Sequence, residues 1–149
     1  MIIPDANLLL YAYNSSAPWH TAAVRWWETV LSGREQVGLT EPVVFAFLRI
    51  ATSARVFDHP MDLRTARSHV DAWLGRRVVK VLAPPPDHVS AVLDLLESAG
   101  SSGGNLVTDA QIAALARAHH GTVHTADQDF RRFPNLKLHY PLQQAERGC

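Results

Sequence analysis

The stretch "TVHTADQDF", residues 122–130, decides the reading of this chain. "TVHT" alternates β-branched and other strand-favouring residues. It runs directly into Asp127 and Asp129, two like charges with no Lys or Arg between them, and then into a short helical segment, "DQDFRRF". The same order opens the chain. "MIIP" is a short apolar strand, Asp5 follows it, and "ANLLLYAYN" continues as a turn or two of helix. In the middle, "QVGLT" reads as a strand that leads into Glu41 and the apolar helix "EPVVFAFLRIATSARV". A fourth acid, Asp109, stands at the start of "TDAQIAALARAHHG", for which Thr108 is the expected N-cap and Gly121 the stop.

The remaining segments fit this alternation. "PWHTAAVRWWETVLSG" and "DLRTARSHVDAWLG" read as helices and "RVVKVL" as a strand. Three prolines at 84–86 break the chain before the helix "DHVSAVLDLLESAG", and "LKLHY" is a last strand. Strands alternating with helices imply an α/β fold in three layers, a mainly parallel central sheet flanked by helices, as a single domain over residues 1–149. In such sheets ligands gather beyond the carboxyl ends of the strands. That rule brings Asp5, Glu41, Asp109, Asp127 and Asp129 to one edge.

Bulk properties narrow the possibilities. Of 149 residues, 47% are hydrophobic and 19% charged, a globular rather than a disordered composition. No apolar run approaches the ~20 residues that span a bilayer, and the start carries an early acid and no basic region, unlike a secretory signal. The only cysteine is Cys149, so an internal disulfide is excluded and a reducing cytoplasm is expected. Formal net charge is +0, which argues against coating nucleic acid by bulk charge. The distribution is uneven. Residues 49–80 hold Arg49, Arg55, Arg64, Arg67, Arg76, Arg77 and Lys80 against Asp58, Asp62 and Asp71. This basic middle either offers a polyanion to an acidic centre or forms the solvated face of two helices.

Two carboxylates ~4 Å apart repel by ~4 kcal/mol at an effective dielectric of ~20. Converging acids therefore require protonation or a cation. Oxygen ligands without cysteine favour a hard ion, Mg²⁺ or Mn²⁺, over zinc. Asn7, Thr108 and Thr125 are short hydrogen-bonding residues near these acids, suited to holding carboxylate rotamers. Each acid taken alone also has a plain explanation: Asp5 as a helix cap, Glu41 and Asp109 as first-turn residues, Asp127 and Asp129 as a turn and a helix start. Their common position at strand ends is what singles them out.

"MIIPDANLLLYAY", "TDAQIAALA" and "VHTADQDFRRFPNLKL", in this order and separation, resemble the PIN domain, and specifically the VapC-type toxins of toxin–antitoxin pairs. The resemblance covers nearly the whole chain. It implies a metal-dependent endoribonuclease that hydrolyses RNA phosphodiesters to a 5′-phosphate and a 3′-hydroxyl. It also implies a small VapB-type antitoxin as partner, and a homodimer is expected. It makes Asp5, Asp109 and Asp127 catalytic and metal-binding, with Asp129 at a frequently acidic metal position. The family's usual helix glutamate falls near Val44 or Phe45 here, so Glu41, about one turn earlier, is its candidate replacement in catalysis. The alternatives are a catalytically weak PIN-like module that binds RNA or protein, and an aspartyl-nucleophile phosphatase, which Asn7 disfavours where a second acid is needed. Trp26, Trp27 and Trp73 read as core packing or as a partner interface. His119 and His120 read as partners of terminal helix carbonyls, and "GSSGGN" as a loop or lid beside Asp109.

Overall fold

The computed structural model describes residues 1–100, 103–104 and 106–143. Three residues of the expected loop or lid at 100–105 (101, 102 and 105) and the cysteine at 149 therefore fall outside the described residues. Five strands of three residues each, β1 (Ile2–Pro4), β2 (Val37–Leu39), β3 (Val79–Val81), β4 (Thr122–His124) and β5 (Lys137–His139), form one sheet in the order β3-β2-β1-β4-β5. Every adjacent pair is parallel. The sheet expected to be mainly parallel is thus wholly so. Helices α1 (Ala6–Tyr13), α2 (His20–Ser32), α3 (Glu41–Ala51), α4 (Leu63–Leu74), α5 (His88–Ser98) and α6 (Leu106–Ala118) flank it, and a 3₁₀ turn spans Gln128–Arg132.

β1 lies at the centre, so the chain leaves it toward β2 on one side and reaches β4 on the other. This is a topological switch point, where the loops beyond two neighbouring strands part and leave a crevice. Pro4 is in register with His124, and the Asp5 amide donates to the His124 carbonyl at 2.9 Å. The residues after β1 and β4 are therefore neighbours across the sheet.

Burial explains why such short strands hold. Ile3, Val37, Leu39 and Val123 are fully buried, as parallel strands covered on both sides require. Four helices meet around an aromatic cluster. Trp73 of α4 packs edge-on against Phe47 of α3 and Trp27 of α2, and its indole N–H donates to the Tyr13 hydroxyl of α1 at 2.8 Å. Trp27 and Trp73 thus belong to the core. Trp26 is only partly buried, and its N–H donates to His124 Nδ1 at 3.1 Å.

Local chemistry shifts several expected boundaries. α3 ends at Ala51 rather than running on through Val56, because the Thr52 hydroxyl donates back to the Leu48 carbonyl and Ser53 caps the following turn. α6 begins at Leu106, two residues before Thr108, so Thr108 lies inside the first turn and is not the N-cap. At its other end Gly121 is not the stop. His120 takes the left-handed conformation (φ 57°), with its amide on the Arg117 carbonyl and the Gly121 amide on the Ala116 carbonyl. Gly121 serves close packing instead. A Cβ there would overlap the Ile3 side chain and approach the Met1 carbonyl. His119 bonds the Ala83 carbonyl at 2.9 Å, outside its own helix.

Two substitutions test this account in thermal melts. Gly121→Ala destabilises by about 1–3 kcal/mol, because fully buried Ile3 has no room to yield. His120→Gly relieves the left-handed strain and raises stability by about 0.5–1 kcal/mol.

Candidate active site

Asp5 follows β1 and caps α1. Its Oδ1 accepts the Ala6 amide at 2.7 Å. Its Oδ2 accepts the Thr125 hydroxyl at the same distance. Thr125 follows β4 and is fully buried; its Oγ1 in turn accepts the Asp127 amide at 2.9 Å. One hydroxyl therefore ties the carboxylate of one strand end to the backbone of the next. Asp127 caps the 3₁₀ turn, with Oδ1 accepting the Asp129 amide at 2.9 Å. The plain reading of Asp5 and Asp127 as caps is thus correct, and it does not exclude a site. Capping uses one oxygen of each carboxylate and fixes its direction.

Asp109 arrives from elsewhere, in the first turn of α6. Burial pushes it up to about 7, with the charges of Asp5, Asp127 and Asp129 adding to the shift. Burial likewise lifts Asp5 to about 6. Its bonds to Thr125 and Ala6 work against that rise, and the charge of Asp127 adds to it. Four carboxylates from three remote segments thus share one electrostatic field. Among the described residues no three His, Cys, Asp or Glu side chains close into a cage.

Glu41 stands apart. It is exposed at the start of α3 and lines a groove with Phe45, Leu82 and Gln111, and the charges acting on Asp5 and Asp109 do not include it. Val43 and Thr40 are fully buried beside it; Thr40 Oγ1 accepts the Val43 amide and fixes the helix start. Among the described residues, no hydrogen bond joins Asn7 or Thr108 to a carboxylate, whereas Thr125 joins two acid-bearing loops. Part of the basic middle lies away from the acids. Arg76 and Arg77 line a cleft with Arg34 at the amino ends of β2 and β3, the opposite edge of the sheet.

Two residues near the site escape sequence reasoning. The Tyr140 hydroxyl donates to the Asp127 carbonyl at 3.0 Å, and its ring carries the Arg131 guanidinium 5.0 Å from its centroid. His124, one residue before Thr125, is pushed down to about 4 by burial and by His139, whose ring lies 4.7 Å away. It stays neutral and accepts from Trp26. Neither contact leaves a local pattern, since each joins strand ends to distant partners.

The PIN domain family matches residues 2–136. Ribonuclease VapC33 of Mycobacterium tuberculosis is 42% identical over 144 residues, covering 97% of this chain and 100% of the relative. Ribonuclease VapC37 of the same organism is 36% identical, covering 95% and 97%. Among solved structures, VapBC2 from Rickettsia felis bound to a promoter DNA fragment aligns with TM-score 0.67 at 22% identity, covering 93% and 98% of the two chains. VapC20 of M. tuberculosis, a sarcin–ricin loop cleaving toxin, aligns with TM-score 0.68 at 19% identity, covering 92% and 99%. On an all-parallel sheet whose central strand ends converge in carboxylates, and with relatives of this identity along almost its whole length, this chain belongs to the PIN domain family and groups with the VapC ribonucleases.

Proposed function

We propose that this chain is a metal-dependent endoribonuclease, the toxin of a VapBC-type pair, acting in the cytoplasm as a single PIN-like domain. The observation that carries this reading is the shared field of Asp5, Asp109 and Asp127, in a chain so similar to ribonucleases of this type. The donor set fits a hard divalent cation. It is all oxygen and half-buried, and Mg²⁺ needs only one or two protein carboxylates because it keeps waters and takes substrate phosphate oxygens. Asp5, Asp109 and Asp127 would hold the ion, with Asp129 at the rim. When bound, Mg²⁺ or Mn²⁺ supplies a Lewis acid for the phosphate and a more acidic water.

The chain's own residues do the rest. Thr125 holds Asp5 by a charge-assisted hydrogen bond and aligns Asp127 with it. Tyr140 steadies the Asp127 backbone. Asp109 is raised by burial and by the neighbouring carboxylates, so a cation held there would displace its proton and relieve the repulsion. The VapBC complexes among the structural neighbours support a small antitoxin as partner. A homodimer is part of this reading, and exposed Val89 and Leu93, one helical turn apart on α5, offer one apolar contact for it.

Three outcomes test this reading. Asp5→Asn, Asp109→Asn or Asp127→Asn each lowers Mg²⁺-supported cleavage of single-stranded RNA by at least about 100-fold, and chelation abolishes it. Retained cleavage in all three would overturn the assignment of these acids, and RNA binding by wild type without Mg²⁺- or Mn²⁺-supported cleavage would point instead to a binding module. Rescue of expression-induced growth arrest by a co-expressed small antitoxin tests the toxin role. Stability tests the electrostatics. Asp5 and Asp109 bind protons more tightly folded than unfolded, so their contribution to metal-free stability is full below about pH 4 and is lost as pH rises through about 6 and 7, while neutral His124 contributes with the opposite sign between about pH 4 and 6.5. Mg²⁺ or Asp109→Asn flattens that fall. At pH 7.5 the variant melts higher than wild type without metal, by about 1–2 kcal/mol once partial exposure is discounted.

A further inference from the structure

Glu41 lines a groove of about 340 Å³ whose walls also include Phe45, Leu82, His88 and Gln111. Such a volume lies at the small end of ligand sites, ~300–1,000 Å³. Phe45 is 62% exposed, a ring left open on the surface of an otherwise well-buried helix. His88 Nδ1 is buried and has no hydrogen-bond partner among the described residues, so the imidazole is not held at that nitrogen. Gln111 sits on α6, two residues beyond Asp109. Glu41 follows β2, the immediate neighbour of β1 and Asp5, and adjacent strands lie only ~4.8 Å apart. The groove therefore lies on the same carboxyl edge of the sheet as Asp5, beside the acids and not among them.

Its lining selects its occupant. A carboxylate repels a phosphodiester, so the backbone of a nucleic acid stays out while a neutral base enters. An aromatic ring with no partner across it offers a stacking face, the usual way a splayed RNA base is held. Glu41 is acceptor-only, and Gln111 presents both a donor and an acceptor. Among the bases, guanine alone offers two adjacent donors, N1–H and the N2 amine, beside an acceptor, O6.

We propose that this groove is a guanine pocket, reading one nucleotide of an RNA bound along the carboxyl edge of the sheet: Glu41 accepts hydrogen bonds from N1–H and N2–H, Gln111 donates to O6, and Phe45 stacks on the ring. The inference rests on the ribonuclease reading and adds to it the nucleotide selected. It gives Glu41 a role in specificity rather than in cleavage.

The test uses the full chain and short single-stranded RNAs permuted at each position around the cut, with kcat and KM measured separately in Mg²⁺. The same RNAs are bound to metal-free protein. Wild type favours guanine at one flanking position by about tenfold or more in kcat/KM. Glu41→Gln, which turns one acceptor into a donor, brings the four bases to within about threefold. Phe45→Ala raises KM for every RNA and keeps the order of bases. Survival of the guanine preference in Glu41→Gln overturns the proposal, as does an equal fall in kcat for all four bases, which would place Glu41 in the cleavage step. Disruption of a dimer or of antitoxin binding by both variants with unchanged base preference also overturns it, and gives the groove to a protein partner. Failure of the nuclease reading is separable: protein that cuts no RNA but binds guanine-containing RNA through Glu41 keeps the pocket and loses the enzyme.

Discussion

The structure turns on one hydroxyl. Thr125 is fully buried between two strand ends, giving its proton to Asp5 and taking one from the Asp127 amide. Without it, two acidic loops on neighbouring strands would be free to move apart, as their charges demand. With it, they are held at the crevice where β1 and β4 diverge. A buried carboxylate left without such donors would cost far more than the roughly 1.5–3 kcal/mol that a hydrogen bond to a charged group contributes. The fold tolerates the cluster in part because Asp5 and Asp127 each have a second occupation as a cap, so that both are hydrogen-bonded before any ligand arrives.

That arrangement leaves a residual imbalance. Asp5 and Asp109 both hold protons well above the ordinary carboxylate range, and burial is the largest cause for each. Strained acids at a crevice are a functional signature because the strain is relieved only by added positive charge or by a proton. A divalent cation among them would relieve that imbalance by taking the place of the protons. Arg34, Arg76 and Arg77 do not neutralise it, because they line a cleft at the other edge of the sheet.

Glu41 shows how a motif read at one spacing lands in a different place. It stands at the carboxyl end of β2, as its position in sequence implies. Yet α3 begins at that very residue, with Thr40 as its cap, so the side chain is exposed on the outer rim of the helix. An inward glutamate would have to sit further along the helix, where this chain has Val44 and Phe45. Phe45 itself is exposed. The helix thus presents an acid and an aromatic ring to a groove beside the site, not to its centre.

Much of this was legible without coordinates. Short β-branched runs ending in acids, each followed by a helix, are local patterns, and they sufficed for a parallel α/β sandwich with its acids on one edge. Periodicity also placed every helix to within a few residues. What it could not supply was set by contacts between distant segments. Helix ends moved because Thr52 and His120 bond their own backbone. Gly121 proved to be a packing residue because Ile3 lies against it. Thr125 was one of three plausible supports, and only the register of β4 against β1 distinguished it from Asn7 and Thr108. Sequence alone determined which residues carry charge and which segments become strands, because those depend on side-chain chemistry and near-neighbour spacing. Only tertiary structure decided which charges share a field, because Coulomb energy depends on distance through space and not along the chain.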